Sequence, residues 1–178
     1  ETFPLRGREC SSQQMPFIKE KFPNYESFGK ATLTDVYEPN SLSEALHYQA
    51  TEFSSSAFLN DGKGYFKLSV LPDLVQMSVI NGIIMDDLNA DGNQDLIMAG
   101  NLYVSEIETP RSDAGIGSVL LGNGDGTFKA MNPWESGFRA DGDVRGLHSI
   151  KLANGKKGIL VVRNNDHVKL FEYESAVQ

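Results

Sequence analysis

Along the first 50 residues the apolar positions recur at helical spacing; from about Leu46 onward they form short runs of strand type. Phe17, Ile18 and Phe22 line one face of a short helix, with Pro16 in its first turn and Pro23 as its stop. "NYESFGKA" and "SLSEAL" predict two further short helices, begun by the capping residues Asn24 and Ser41. Ser41 and Glu44 also have the spacing of a capping box. The later pattern predicts strands at 46–52, 55–59, 64–70, 79–85, 95–99, 102–107, 117–121, 127–131, 144–150, 158–163 and 167–173. Gly, Asn and Asp punctuate them every 8–12 residues, the rhythm of an all-β sandwich, barrel or propeller.

This region repeats itself. "FLNDGKGYFK" (58–67) matches "LLGNGDGTFK" (120–129) at an offset of 62, pairing Leu59 with Leu121, Gly62 with Gly124, Gly64 with Gly126, Phe66 with Phe128 and Lys67 with Lys129. "DLIMAGN" (95–101) aligns with "GILVVRN" (158–164) at an offset of 63. Each copy reads as a four-stranded antiparallel unit of propeller-blade size. The expected organisation is a helical segment at 1–45, a first blade at 46–112 and a second at 113–178. Two blades cannot close a ring, so Phe17, Ile18, Phe22, Tyr25 and Phe28 are expected to cover one open sheet face.

Between two apolar runs lies "IIMDDLNADGNQDLIMAG" (83–100). Counted from Asp87, side-chain oxygens fall at positions 1 (Asp87), 3 (Asn89), 5 (Asp91) and 9 (Asp95), with Gly92 at 6 and the Asn93 carbonyl at 7. An all-oxygen set in a tight loop suits Ca²⁺, and no His or Cys stands nearby to favour zinc. An EF-hand needs Glu at position 12, where this chain has Met98. Without a cation the clustered carboxylates repel one another. The corresponding turn of the second copy, "IKLANGKKGIL" (150–160), keeps Gly155 but places Ile150 and Gly158 at ligand positions and adds Lys156 and Lys157. It is expected to be metal-free.

Composition narrows the choice. The 178 residues are 40% hydrophobic and carry a net charge of −8, with only short basic clusters, which excludes a nucleic-acid backbone as the expected partner. A single cysteine, Cys10, excludes an intrachain disulfide framework. No run is long and apolar enough to span a bilayer. The first residue is Glu rather than Met, as in a mature product or an excised fragment. His47, His148 and His167 lie in unrelated contexts, no nucleophile turn is present, and "GIGS" (115–118) lacks the Lys-Ser/Thr of a phosphate loop, so the chain does not read as an enzyme. Trp134 in "NPWESGF" is a candidate for glycan or protein contact, or else a core residue.

"DLNADGNQDL" resembles the calcium loop of FG-GAP and VCBS repeats, known from integrin α-subunit propellers and bacterial surface proteins, and "VLLGNGDGTF" is similar to their strand and hairpin. With "RGRECSSQQMPFIKEKFPNYESFGKATLTDVY" and "NNDHVKLFEYE", nearly the whole chain resembles the C-terminal part of large secreted VCBS-repeat proteins of Bacteroidetes, related to cartilage acidic protein and often carrying an ASPIC/UnbV domain. No ASPIC/UnbV segment is visible here. The resemblance implies a mainly β chain of about two antiparallel four-stranded blades with a short N-terminal helical segment. Those blades would belong to a seven- or eight-bladed propeller outside the cytoplasm or on the outer-membrane surface. It also implies an interaction or adhesion scaffold that binds a protein or glycan together with the rest of a larger propeller chain. A carbohydrate-binding or carbohydrate-processing accessory module is the alternative.

Overall fold

The computed structural model describes residues 1–107 and 109–173. The chain is mainly β, with three antiparallel sheets and a few short helices. It divides into two compact units, Glu1–Thr51 and Glu52–Gln178.

The first unit holds α1 (Arg8–Gln14), α2 (Phe17–Lys21), α3 (Tyr25–Gly29), α4 (Leu33–Val36) and α5 (Pro39–Glu44). None is long enough to be stable alone, so their ends are tied down individually. Asn24 Oδ1 accepts the Ser27 N–H at 2.8 Å and starts α3. The capping box is formed by Thr32 and Asp35 at the start of α4, not by Ser41 and Glu44. Ser41 lies inside α5, because Pro39 at the first helical position starts that helix two residues earlier. The Arg8 guanidinium donates to the carbonyls of Phe22 and Pro23 beyond α2. Ile18, Phe22, Phe28, Ala31 and Val36 form the unit's own core, with the Phe22 and Phe28 rings edge to face at 5.7 Å. Of the five aromatic and apolar residues expected to cover a sheet, three therefore lie in this core, while Phe17 and Tyr25 are exposed.

The second unit contains β1 (Ser56–Asn60), β2 (Phe66–Val70), β3 (Gly82–Asp86), β4 (Asp95–Ala99), β5 (Ser118–Gly122), β6 (Phe128–Ala130), α6 (Pro133–Ser136), β7 (Val144–Lys151), β8 (Lys157–Arg163) and β9 (Lys169–Tyr173). The sheets are β1-β2, β3-β4-β5-β6 and β7-β8-β9. The middle sheet runs across residues 112 and 113, where the repeat reading placed a boundary. The first copy supplies β1-β2 and the first two strands of the middle sheet, and the second copy supplies the last two strands of the middle sheet and all of β7-β8-β9. The strand expected at 46–52 does not form, and Leu46 and Tyr48 stay exposed. The one expected at 102–107 is reduced to the isolated bridge Leu102–Ser112, since both edges of β4 are already taken by β3 and β5.

Strand β4 is buried along its whole length. Its side chains alternate between two cores: Leu96 and Met98 join Leu71, Val75 and Leu120 on the β1-β2 side, and Ile97 and Ala99 join Val144, Leu147, Ile159 and Val161 on the β7-β8-β9 side. The two repeated hairpins close alike, Asp61 N–H to Tyr65 carbonyl and Asn123 N–H to Thr127 carbonyl, both at 3.0 Å. Gly126, at φ +83°, has a second reason to be glycine: a Cβ there would lie 2.4 Å from the Leu59 side chain of the other hairpin.

Candidate functional site

The acidic loop, residues 87–94, joins β3 to β4 directly after the Asp86–Asp95 pair of the ladder. It turns sharply because Ala90 and Gly92 both take positive φ, +58° and +87°. The turn is held by its own side chains. Asp87 accepts the N–H groups of Asp91 at 3.1 Å and Gly92 at 3.0 Å. Asn89 Oδ1 also accepts the Asp91 N–H, and its amide donates to Asp91 Oδ2 at 2.9 Å. Asp91 Oδ1 accepts the Asn93 N–H at 2.8 Å. These bonds, the backbone one first, hold the Asp91 carboxyl below its usual range.

Asp87, Asn89 and Asp91 are thus gathered in one exposed loop. Asn93 points its side chain toward the β5-β6 hairpin, where a Cβ on Gly124 would lie 2.5 Å from its Oδ1. Asp95 is different in kind. It is fully buried, and its two oxygens accept the N–H groups of Leu88 and Gly122, each at 2.8 Å. It fastens the loop to β4 and β5. Among the described residues no three His, Cys, Asp or Glu side chains converge at metal-binding separations. The donor set itself, carboxylate and amide oxygens without nitrogen or sulfur, is chemically suited to a hard cation.

The fourth carboxylate of the stretch, Asp86, works between sheets. Lys157 Nζ and the Tyr173 hydroxyl both donate to its Oδ2, the latter at 2.6 Å. Burial pushes the Asp86 carboxyl up, but these two hydrogen bonds and the Lys157 charge outweigh it and leave the group below the usual carboxylate range. Burial first, then the bond to Asp86 and its charge, raise the Tyr173 phenol above its ordinary value, so it remains a donor. A carboxyl lowered on folding stabilises the fold above its unfolded pKa and stops doing so as pH falls through the folded value. The latch is therefore intact at neutral pH and lost in acid. On going from about pH 5 to about pH 3 the melting temperature should fall more in the parent chain than in a Lys157→Met, Tyr173→Phe variant. Equal falls would show that the latch adds no stability.

In the second copy Ile150 pairs with Gly158 as Asp86 pairs with Asp95. The residue that follows, in the place of Asp87, is Lys151; it pairs with Lys157, so the connection, residues 152–156, is three residues shorter than the acidic loop. Lys156 pairs with Glu172 at 2.7 Å, and Lys157 reaches across to Asp86.

Trp134 stands on α6 and is 84% exposed, so it is not a core residue. Its neighbour Phe138 is buried against Phe171, with ring centroids 4.9 Å apart. Two residues escaped the sequence reading. Asn101 is fully buried after β4, donating to the carbonyls of Gly115 and Gly142 and accepting the Gly115 N–H. Asp143 accepts from Arg145 and Asn164 with one oxygen, while its other oxygen is buried without a partner. The Asn at the end of both "DLIMAGN" and "GILVVRN" was the available signal for Asn101.

Comparison of the chain with family models, with curated proteins and with solved structures finds no match. No helix among the described residues is long and apolar enough to cross a membrane.

Proposed function

We propose that the second unit is a segment of an FG-GAP/VCBS-type β-propeller, that its 87–95 loop binds Ca²⁺, and that the chain serves as an interaction scaffold on a secreted or cell-surface protein. On this reading β3-β4-β5-β6 is one complete blade, β1-β2 the outer half of the blade before it, and β7-β8-β9 three strands of the blade after it. The observation that carries the reading is the stacking of three antiparallel sheets at the repeat interval, with an all-oxygen loop at one strand turn. Ile83 and Met85 of β3 are exposed beside the two-stranded sheet, where the inner strands of a full blade, from the rest of a larger propeller, would cover them. Asp87, Asn89 and Asp91 would hold the ion, with the Asn93 carbonyl and Asp95 completing or bracing the set. Bound calcium would neutralise the loop and lock its turn.

A ligand that binds only the folded state adds about 2.7 kcal/mol at a hundredfold excess over Kd. Thermal melts in calcium and in chelator should therefore differ by several degrees, and Asp91→Ala should abolish most of the difference. Calorimetry should give one site per chain. Identical melts in calcium and chelator would remove the metal from the proposal.

The exposure of Trp134 favours a second reading, a carbohydrate-binding or carbohydrate-processing accessory module with this ring as a stacking platform. Glycan-array binding lost in Trp134→Ala would support it; calcium-dependent stability with no glycan retained would favour the scaffold.

A further inference from the structure

Between the middle sheet and β7-β8-β9, beside α6, lies a cavity of about 400 Å³. Its floor is apolar: Ile97, Val119, Phe138, Ile159 and Phe171. Leu121 and Leu88 wall it, and the Leu88 backbone is fixed by Asp95. Among the described residues the only charged groups at its rim are carboxylates, and the donors there, the Asn89 amide and the Ser136 and Tyr173 hydroxyls, already have partners. Asn89, Ser136, Glu135 and Glu172 offer acceptor oxygens, and no Lys, Arg or His lines the cavity. Glu172 is paired with Lys156, whereas among the described residues the Glu135 carboxylate has no ion-pair or hydrogen-bond partner. The Tyr173 hydroxyl at the same rim is already committed to Asp86.

We propose that this cavity is a binding site for a small amphipathic amine, with an aromatic or branched apolar body on the floor and an ammonium group at the Glu135 side of the rim. The volume lies within the range of small-molecule pockets, which pair an apolar lining with a few placed polar groups. The charge sign decides the head group. An ammonium meets acceptors and a free carboxylate, while a carboxylate of the same size meets like charge on a chain of net −8. Leu88 and Asn89 belong to the acidic loop as well as to this cavity, so the titrations below are made in chelator, where no cation competes for Asn89.

Phenethylamine and 3-phenylpropionate share a body and differ in head-group charge. Calorimetric titration of the full chain at low ionic strength should show the amine binding about tenfold more tightly than the acid. Glu135→Gln, a surface change that leaves the core alone, should narrow that ratio several-fold. Leu121→Trp, which fills the cavity, should abolish binding while circular dichroism stays unchanged. No amine binding at millimolar concentration, equal binding of the two compounds, a ratio unmoved by Glu135→Gln, or binding that survives in folded Leu121→Trp would each overturn the assignment.

Discussion

Asp95→Ala will destabilise the β-unit by about 3–5 kcal/mol, whether or not calcium is present. The carboxylate is fully buried and both its oxygens accept backbone N–H groups, from Leu88 in the loop and Gly122 in β5. Hydrogen bonds to a charged acceptor contribute about 1.5–3 kcal/mol each, and removing the acceptor strands the buried Gly122 donor and the half-buried Leu88 donor. Asp91→Ala is the contrast. Its side chain is exposed and bonded within the loop, so its loss should cost little in chelator and much more in calcium if the loop binds the ion. Urea titrations of both variants in both conditions separate the two roles. A loss below about 1 kcal/mol for Asp95→Ala in chelator would show that the two backbone bonds are not what fixes the loop.

Asn101→Ala is expected to cost about 3 kcal/mol, one for each hydrogen bond lost to Gly115 and Gly142. The side chain is completely buried and ties the exit of β4 to the segment before β5 and to the turn before β7. Asn101→Asp preserves the shape yet should be at least as damaging. It turns two donor contacts into carboxylate facing carbonyl oxygens and buries a charge with no cation among those three contacts. Denaturant midpoints of the two variants provide the check. If Asn101→Asp were as stable as the parent chain, the Asn101 donors would carry no part of the packing between these segments.

The hairpins were the most legible part of the sequence. Gly62, Gly64, Gly124 and Gly126 announce turns because all four take positive φ, and each turn closes with the same backbone bond. Asn24 was readable as a cap, because a short side chain before a helix has one obvious donor to satisfy. Ser41 was not, because Pro39 supplies a stronger start two residues earlier. The phase of the sheets was hidden: periodicity locates strands but does not say which edges pair. Thus 102–107 looked like a strand although β3 and β5 already flank β4. Asp95 looked like one more loop oxygen. Spacing shows where a carboxylate stands along the chain, not that two backbone donors from distant residues meet it. Lys157 was read against its own turn, while its partner Asp86 lies 71 residues away.

The staggering of copies and sheets bears on how such a chain can grow or shrink. Each copy contributes to two sheets, and the middle sheet is shared half and half between them. Copies therefore overlap like roof shingles, and neighbouring sheets are joined by peptide bonds as well as by packing. In a longer array built on this plan, excising one copy would leave the first two strands of one sheet and the last two of another, in positions to pair as a whole sheet. Duplicating one copy would insert a whole sheet by the same geometry. The repeating unit of the sequence and the middle sheet are thus offset by half a sheet, and in such an array that offset would let a gain or loss of a copy heal without leaving an unpaired edge inside the stack.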